Sequence, residues 1–309
     1  AARFYSYVAA VYSDVLEVSN ESEASVATTS IINTLAPDQR DNTNKFLTSL
    51  SLPVKSLSGS SLKVLEAHKK RALADHYDLV WDKKTPEDKT KWFIRNDKID
   101  KGAKAGSWNT WILEDADVFD KVTPPVLGSL FDKLEIEKVK YAVKRRILEE
   151  EHNIYFWHGS TGFEKGANLD NVTPAGVWQN ILYTELVSED RTRQMSDKEY
   201  AYSQKILAES ILDAFIRCWQ VKYEYWTQRP SMRITALDIL VADPPFPSFV
   251  SGHSTISATA AVVLSALHPE KKEIWMNNLT DARNSRLMAG IHFDADNKLG
   301  EYLGRQIGE

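Results

Sequence analysis

Apolar residues along the chain recur at intervals of three and four positions, and this spacing predicts α-helices. Nine segments show the pattern, at about 4–18, 24–35, 61–82, 136–157, 174–187, 196–226, 254–267, 271–290 and 296–307. No segment shows a convincing alternation of apolar and polar positions, which a half-buried strand would need. We therefore predict an all-α fold built as a helical bundle.

Cap and turn residues separate these segments at places where helices would begin or end. Thr173-Pro174 and Ser196-Asp197 are typical helix starts. The prolines in residues 244–247 hold the chain extended ahead of the next helix. The stretch from Asp82 to Asp120 is charged and rich in turn residues, and we expect residues 98–108 within it to form a loop.

The composition is that of a globular protein, because 309 residues with 43% hydrophobic content can bury a core without staples. We expect one domain over 1–309, in which an N-terminal helical layer (about 1–160) packs on a C-terminal bundle (about 161–309). The net charge of −5 gives no basic field to recruit nucleic acid. The longest apolar run, Thr255 to Leu267, is too short for a membrane span. Cys218 is the only cysteine, which excludes a disulfide framework.

A lysine and an arginine near the end of the predicted helix 196–226 form the first block of candidate chemistry. Lys222 continues a stripe of core positions, and the other members of that stripe are Leu207, Ile211, Phe215 and Trp219. Two buried cations, Lys222 and Arg229, would need an anion between them. Glu224 or another acidic side chain could be that anion. A lone lysine on such a stripe would more often extend its ammonium group to water.

The second block is Ser251-Gly252-His253, at a predicted helix start. Unpaired N–H groups and the helix dipole favour an anion there, and Gly252 lets the backbone approach it closely. His253 could exchange a proton with such a ligand near neutral pH. By itself the tripeptide is also typical of an ordinary serine cap followed by an exposed histidine.

The third block places an arginine, a glycine, a histidine and an acid in sequence. Gly290 leaves room beside Arg286 for a bound group. Asp296, four residues after His292, can accept a hydrogen bond from one imidazole nitrogen and leave the other as a directed ligand or nucleophile. Asp294 could compete for this role. Taken alone, a histidine at a helix end with a nearby carboxylate is a common structural arrangement.

In this order and spacing, the three blocks resemble the signature of the vanadium-dependent haloperoxidases and of the type 2 phosphatidic-acid and class A acid phosphatases. The resemblance covers residues 222–296, with a weaker likeness to soluble bacterial haloperoxidase-like proteins at 173–178 and in the opening aromatic helix. It implies a helical bundle of the vanadium haloperoxidase and acid phosphatase type, and it implies vanadate as the cofactor.

The resemblance also implies a role for each residue of the blocks. The groups that would hold vanadate or phosphate are Lys222, Arg229, Ser251, Gly252, Arg286 and His292. His253 would act as the acid/base and Lys222 would polarise bound peroxide. His292, oriented by Asp296, would be the axial vanadium ligand in a haloperoxidase or the phosphoryl-accepting nucleophile in a phosphatase.

Two aromatic residues favour a haloperoxidase over a phosphatase. Trp219 and Phe246 stand where chloride-oxidising and some iodide-oxidising members carry the same pair, whereas the bromide-oxidising algal type has histidine at the second position. Both could equally be core residues. We interpret the chain as a vanadate-dependent haloperoxidase that oxidises iodide, bromide or chloride with hydrogen peroxide to hypohalous acid. An acid phosphatase that cleaves a phosphomonoester through a phosphohistidine, or a binding scaffold with a vestigial site, are the alternatives.

The resemblance also concerns the cellular location of the protein and the length of the chain between His253 and His292. It implies a secreted or periplasmic protein, although no signal peptide is visible in the sequence. It leaves the oligomeric state open, a homo-oligomer included. The interval from His253 to His292 is shorter than expected for a haloperoxidase, and residues 268–271 leave little loop between two predicted helices.

Overall fold

The computed structural model describes residues 1–49, 56–82, 84–94, 102–114, 120–158, 173–188 and 195–309. Within these ranges the chain forms twelve α-helices, and the only β-type pairing is a single bridge between Lys91 and Thr227. The helices are α1 (Ala2–Val18), α2 (Glu21–Leu35), α3 (Arg40–Ser49), α4 (Gly59–Leu73), α5 (Leu130–Arg145), α6 (Leu148–His158), α7 (Pro174–Tyr183), α8 (Asp197–Tyr225), α9 (Pro230–Arg233), α10 (Gly252–Leu267), α11 (Lys272–Met288) and α12 (Asp294–Gly308). The prediction of an all-α fold is confirmed.

Most predicted helices lie within a few residues of an observed one, but the helix predicted over 61–82 is wrong in length. It ends at Leu73. Just beyond, the Asp75 carboxylate accepts a hydrogen bond from the Tyr77 N–H (3.2 Å), and His76 adopts a left-handed φ of 64°. The side-chain hydrogen bond stabilises a turn in place of another helical turn.

The segment predicted as one helix over 136–157 is two helices, α5 and α6. Arg146 between them is extended, with φ −54° and ψ 133°. Its guanidinium donates to the Met288 carbonyl (3.0 Å) and to the Asp238 carboxylate (3.1 Å). These tertiary contacts override the helical period, and a single-sequence pattern does not contain them. Helix α3 was missed because its sequence is polar and has no apolar stripe.

Two predictions concerned loops. Residues 102–108 form turns and a short 3-10 helix at Ala105–Ser107, whereas residues 98–101 of the predicted loop lie outside the described residues. A single 3-10 turn at Pro269–Lys271 joins α10 to α11. This confirms that little loop separates these two helices.

Helix α8 is the centre of the bundle. It packs against α1 on one side and α10 on another, and α10 packs in turn on α11 and α12. Trp157, Trp178 and Trp275 are fully buried in the core. The division into a layer over 1–160 and a bundle over 161–309 stays a prediction, because residues 159–172 lie outside the described ranges. None of the described helices has the length and apolar character needed to cross a bilayer.

Glycines bring α12 unusually close to α10. A Cβ at Gly300 would lie 2.8 Å from the Ser251 carbonyl oxygen, and one at Gly304 would collide with the Thr255 carbonyl oxygen. The close approach lets the Ser251 N–H donate to the Asp296 carbonyl (3.0 Å). The first turns of α10 and α12 are thereby held side by side.

We predict that Gly304→Ala lowers the free energy of unfolding by about 1–3 kcal/mol, because the added methyl group has no space and the helices must separate. Urea unfolding followed by circular dichroism measures this change. Gly59→Ala is the matched control, since nothing lies within 4 Å of a Cβ at Gly59. Equal stability of the two variants would contradict the close contact.

Candidate active site

The three sequence blocks meet where α8 and α11 end and α10 and α12 begin. A cavity of about 350 Å³ lies at this junction, and its wall includes Gly252, His253, Arg286 and His292. The structure therefore brings together residues that are up to 40 positions apart in the chain. The second and third blocks both contribute side chains to the cavity wall.

Arg286 is the most informative residue of the site. It is fully buried, its Nε donates to Ser285 Oγ (2.9 Å), and its Nη2 donates to the Ile154 carbonyl (2.9 Å). Its Nη1 is buried and has no hydrogen-bond partner among the described residues. Burial lowers the pKa of this guanidinium to about 9, and the neighbouring Arg229 acts in the same direction. A buried cation with an unpaired N–H is suited to hold an anion.

The two nitrogens of His292 have different partners. Nδ1 lies 3.2 Å from Asp296 Oδ2, and Nε2 lies 2.9 Å from Arg229 Nη1. Because a guanidinium only donates, Nε2 must accept, so the ring proton is on Nδ1 and points to Asp296. Burial, then Arg229 and Lys222, lower the pKa of His292 well below its ordinary value. His292 is thus a neutral imidazole with an unprotonated Nε2.

Asp296 is held by two hydrogen bonds besides the one from His292. Ser248 Oγ donates to its Oδ2 at 2.6 Å, and the Phe293 N–H does so at 3.1 Å. Burial raises the pKa of the Asp296 carboxyl, and these hydrogen bonds act in the opposite direction. Sequence reasoning missed Ser248, since nothing in the sequence distinguishes it from other serines. Asp294 pairs instead with Lys138 and Lys298, so its competition for His292 is not observed.

The other two cations of the blocks contact backbone carbonyls. Lys222 Nζ donates to the carbonyls of residues 247, 248 and 250, and Arg229 donates to those of residues 246 and 291. Both side chains are fully buried. They hold the extended segment 246–250 in this structure, and their binding of an oxyanion stays a prediction. Glu224 is wrong as their counter-ion, because it lies at the surface with Lys121 (3.1 Å).

Helix α10 begins as the second block predicts. Ser251 is its N-cap, and the Ser254 hydroxyl donates to Ser251 Oγ at 3.2 Å. Gly252 lies in the cavity wall, where a Cβ would be 3.5 Å from the Trp219 ring. The Ser254 N–H donates to Ser251 Oγ at 3.5 Å, whereas the N–H groups of Gly252 and His253 have no backbone acceptor in the helix, which makes them available to a ligand.

The C-terminal turns of α6 hold two of the site's side chains. The Trp157 carbonyl lies 2.7 Å from His253 Nε2, and the Ile154 carbonyl accepts from Arg286. With the proton on Nε2, His253 has a basic Nδ1. Burial and then Arg286 lower the pKa of His253 well below its ordinary value. Sequence analysis did not assign α6 to the site, because backbone carbonyls have no sequence signature.

Aromatic rings form another part of the cavity wall. Trp219 and Phe246 both line it, with ring centroids 4.9 Å apart, and Phe215 packs on Trp219 at 3.9 Å. Both rings are also largely buried in a core cluster. The core and cavity interpretations of this pair therefore both hold, and a halide-binding role stays a prediction.

Solved structures match this chain in fold, whereas no family model and no curated protein sequence matches it. A bacterial vanadium-dependent iodoperoxidase matches with a TM-score of 0.79 and 19% identity, over 99% of this chain and 88% of that one. The chain has the fold of the vanadium-dependent haloperoxidases. Two structures of bacterial vanadium-dependent chloroperoxidase share this haloperoxidase fold, each with 11% identity over 99% of this chain. The apo-type structure matches with a TM-score of 0.75 over 90% of its own chain, and the holo-type structure with a TM-score of 0.73 over 89% of its own chain.

The haloperoxidase fold confirms the resemblance that the three blocks predicted, as far as the architecture is concerned. The oxyanion-binding and catalytic roles of single residues stay predictions.

We predict that the pKa of His253 is well below that of an exposed histidine and that Arg286→Met raises it, because removal of the positive charge stabilises the imidazolium. An NMR titration of the ring nitrogens measures both values. Arg283→Met, on the same helix but paired with Glu301 (2.6 Å), should leave the pKa of His253 unchanged. An unaltered pKa in Arg286→Met would contradict the proposed geometry.

Proposed function

We propose that the protein is a vanadium-dependent haloperoxidase, which oxidises a halide with hydrogen peroxide to hypohalous acid. The observation that carries the proposal is the buried Nη1 of Arg286, unpartnered within the described residues, in a cavity that His253 and His292 also line. Among the described residues, Arg229 and Arg286 form no ion pair with a carboxylate within 4 Å. Two buried guanidinium groups of this kind favour a multiply charged anion. The haloperoxidase fold supports this choice of anion.

The residues present fit vanadate. His292 Nε2 would be its nitrogen ligand, while Arg286 Nη1 and the first N–H groups of α10 would donate to its oxygens. Arg229 donates to His292 Nε2 at 2.9 Å, so it would have to give up that bond if Nε2 were the vanadate ligand. Its Nη1 could then donate to an oxygen of vanadate. Lys222 would likewise have to release one backbone carbonyl.

Bound vanadate supplies a Lewis-acid centre that activates peroxide towards halide without a change in oxidation state. His253 is neutral at pH 7, so its Nδ1 can take a proton from the substrate and return it. Trp219 and Phe246 exclude water from one side and give a weakly hydrated halide an apolar approach. Asp296 and Ser248 fix the ring of His292 with Nε2 available.

The phosphatase alternative uses the same residues, with His292 Nε2 as the nucleophile. Its test is a phosphomonoester hydrolysis assay run beside oxidation of iodide, bromide and chloride. Halide oxidation that requires both vanadate and peroxide supports the proposal. Hydrolysis without vanadate-dependent halide oxidation would replace it with the phosphatase.

We predict that His292→Ala abolishes vanadate binding, because it removes the ligand nitrogen, and that Arg286→Ala weakens it by about 10- to 100-fold. Arg286→Lys should lose less than Arg286→Ala because it keeps the charge. Isothermal titration calorimetry measures the affinities directly. Arg283→Ala serves as the control. Tight vanadate binding by His292→Ala would exclude His292 as the ligand.

We predict that His253→Ala still binds vanadate but oxidises halide about 10²- to 10⁴-fold more slowly, because only proton transfer is lost. The two readouts are calorimetric vanadate affinity and the initial rate with saturating peroxide. Unchanged halide oxidation in this variant would exclude His253 as the acid/base.

A further inference from the structure

Helix α5 carries a stripe of residues that includes a buried carboxylate, Glu135. The other buried residues of this helix are Val139 and Asp132, which pairs with Arg233. Glu135, Val139 and Val143 follow one another at four-residue intervals, which puts them on one face of the helix. Glu135 is only 1% exposed, as buried as Val139 at 0%. A buried carboxylate is costly unless it accepts hydrogen bonds, so its partners show what it does there.

The partners of Glu135 are at the start of α12. Its Oε2 accepts the Ala295 N–H at 2.6 Å, and its Oε1 accepts from Lys138 Nζ at 2.7 Å. Lys138 also donates to Asp294 Oδ2 at 2.8 Å. Glu135 and Lys138 together hold two consecutive residues of the first turn of α12.

The turn's own residues cap it only in part, since the Asp296 carboxylate accepts the Phe293 N–H at 3.1 Å. The N-cap position of α12 is Phe293, which has no side-chain oxygen to accept the free N–H groups that follow it. Glu135 supplies the missing acceptor from another helix. The same stripe of α5 also packs against the residues just before α12. Val139 shares a core cluster with Phe293, and a Cβ at Gly290 would lie 3.1 Å from Val143.

The segment so held, residues 290–295, contains His292 and leads directly to Asp296. Asp296 is in the same first turn as Ala295, and its contact with His292 Nδ1 is 3.2 Å. A small displacement of that turn would break this hydrogen bond. Glu135 and Asp296 also line a second cavity, of about 160 Å³, which gives the turn space to shift.

We propose that Glu135 is a positioning residue: its carboxylate caps α12 from α5 and thereby keeps Asp296 within hydrogen-bonding distance of His292. The effect on the hydrogen bond is independent of the proposed function, whereas the effect on vanadate affinity rests on it. On this proposal, the cap depends on a side chain long enough to place an acceptor oxygen at the Ala295 N–H, and not on the negative charge of that side chain.

Three substitutions separate reach from charge. Glu135→Gln keeps the length and one acceptor oxygen, Glu135→Asp keeps the charge but withdraws the oxygens by one methylene, and Glu135→Ala removes both. Glu137→Ala is the matched control, because Glu137 is exposed on the same helix and pairs with Lys140 (2.8 Å). Thermal unfolding of each variant establishes that it is folded. If Glu135→Ala does not fold, the Gln and Asp pair decides the question.

The first readout is the downfield proton NMR signal of the His292 Nδ1–H in the protein without vanadate, assigned by its absence in His292→Ala. We expect it to persist in Glu135→Gln and Glu137→Ala and to be lost or shifted in Glu135→Asp and Glu135→Ala. A wild-type signal in the Asp variant, or its loss in the Gln variant, overturns the proposal.

The second readout is vanadate affinity by calorimetry. We expect a loss of about 10- to 100-fold in Glu135→Asp and Glu135→Ala, with Glu135→Gln close to wild type. If the wild-type protein binds no vanadate while the NMR pattern is as expected, the proposed function fails and the positioning role stands. If vanadate binds with equal affinity to the wild type and to all variants, the hydrogen bond that Glu135 maintains has no effect on vanadate binding, and that part of the proposal is wrong.

Discussion

Positive charge buried inside a helical bundle is the constraint around which this structure is organised. Lys222, Arg229 and Arg286 are each 0% exposed. Burial lowers the pKa of Arg229, and the carboxylates that act in the opposite direction are Asp243 and Asp296. Backbone carbonyls compensate for much of the missing negative charge. Those carbonyls come from the proline-rich segment 246–250, the C-terminal half of α6 and the turn at residue 291. These backbone groups therefore solvate the cations, and one guanidinium nitrogen is left for a ligand.

The ends of helices also contribute to the charge distribution around the cavity. The C-terminal carbonyls of α6 face Arg286 and His253, and the N-terminal N–H groups of α10 lie at the cavity, so partial charges of opposite sign converge there. Glycines on α12 allow it to approach α10 closely, and the Ser251 N–H donates to the Asp296 carbonyl at the start of the two helices. The α5 stripe then fixes the start of α12 from the other side. The geometry of His292 thus depends on three helices that it does not belong to.

The sequence predicted the helical fold because helical periodicity is a local property, whereas the expectation that the three blocks form one site rested on the resemblance to a known family. Gly252, His253, Arg286 and His292 line one cavity, and their roles stay predictions. Ser248 and the α6 carbonyls were missed, since one is a common residue type and the others are backbone atoms. The breaks at Asp75 and Arg146 were also missed, because each depends on hydrogen bonds that a helical period does not contain. Glu224 was one candidate for the anion between Lys222 and Arg229, but it pairs with Lys121 at the surface.

The hydrogen bond from Arg229 to His292 Nε2 has a consequence for metal selection. Imidazole nitrogens ordinarily attract divalent cations such as Zn²⁺ and Cu²⁺. Here a guanidinium already occupies the accepting nitrogen, and a second one lies beside it, so an approaching cation meets electrostatic repulsion before it can coordinate. A metal within an oxyanion would meet attraction instead, and its oxygens could accept hydrogen bonds from Arg286 Nη1 and from the Arg229 N–H that now donates to His292. The charge of the whole complex, rather than the identity of the metal alone, would then decide what His292 ligates.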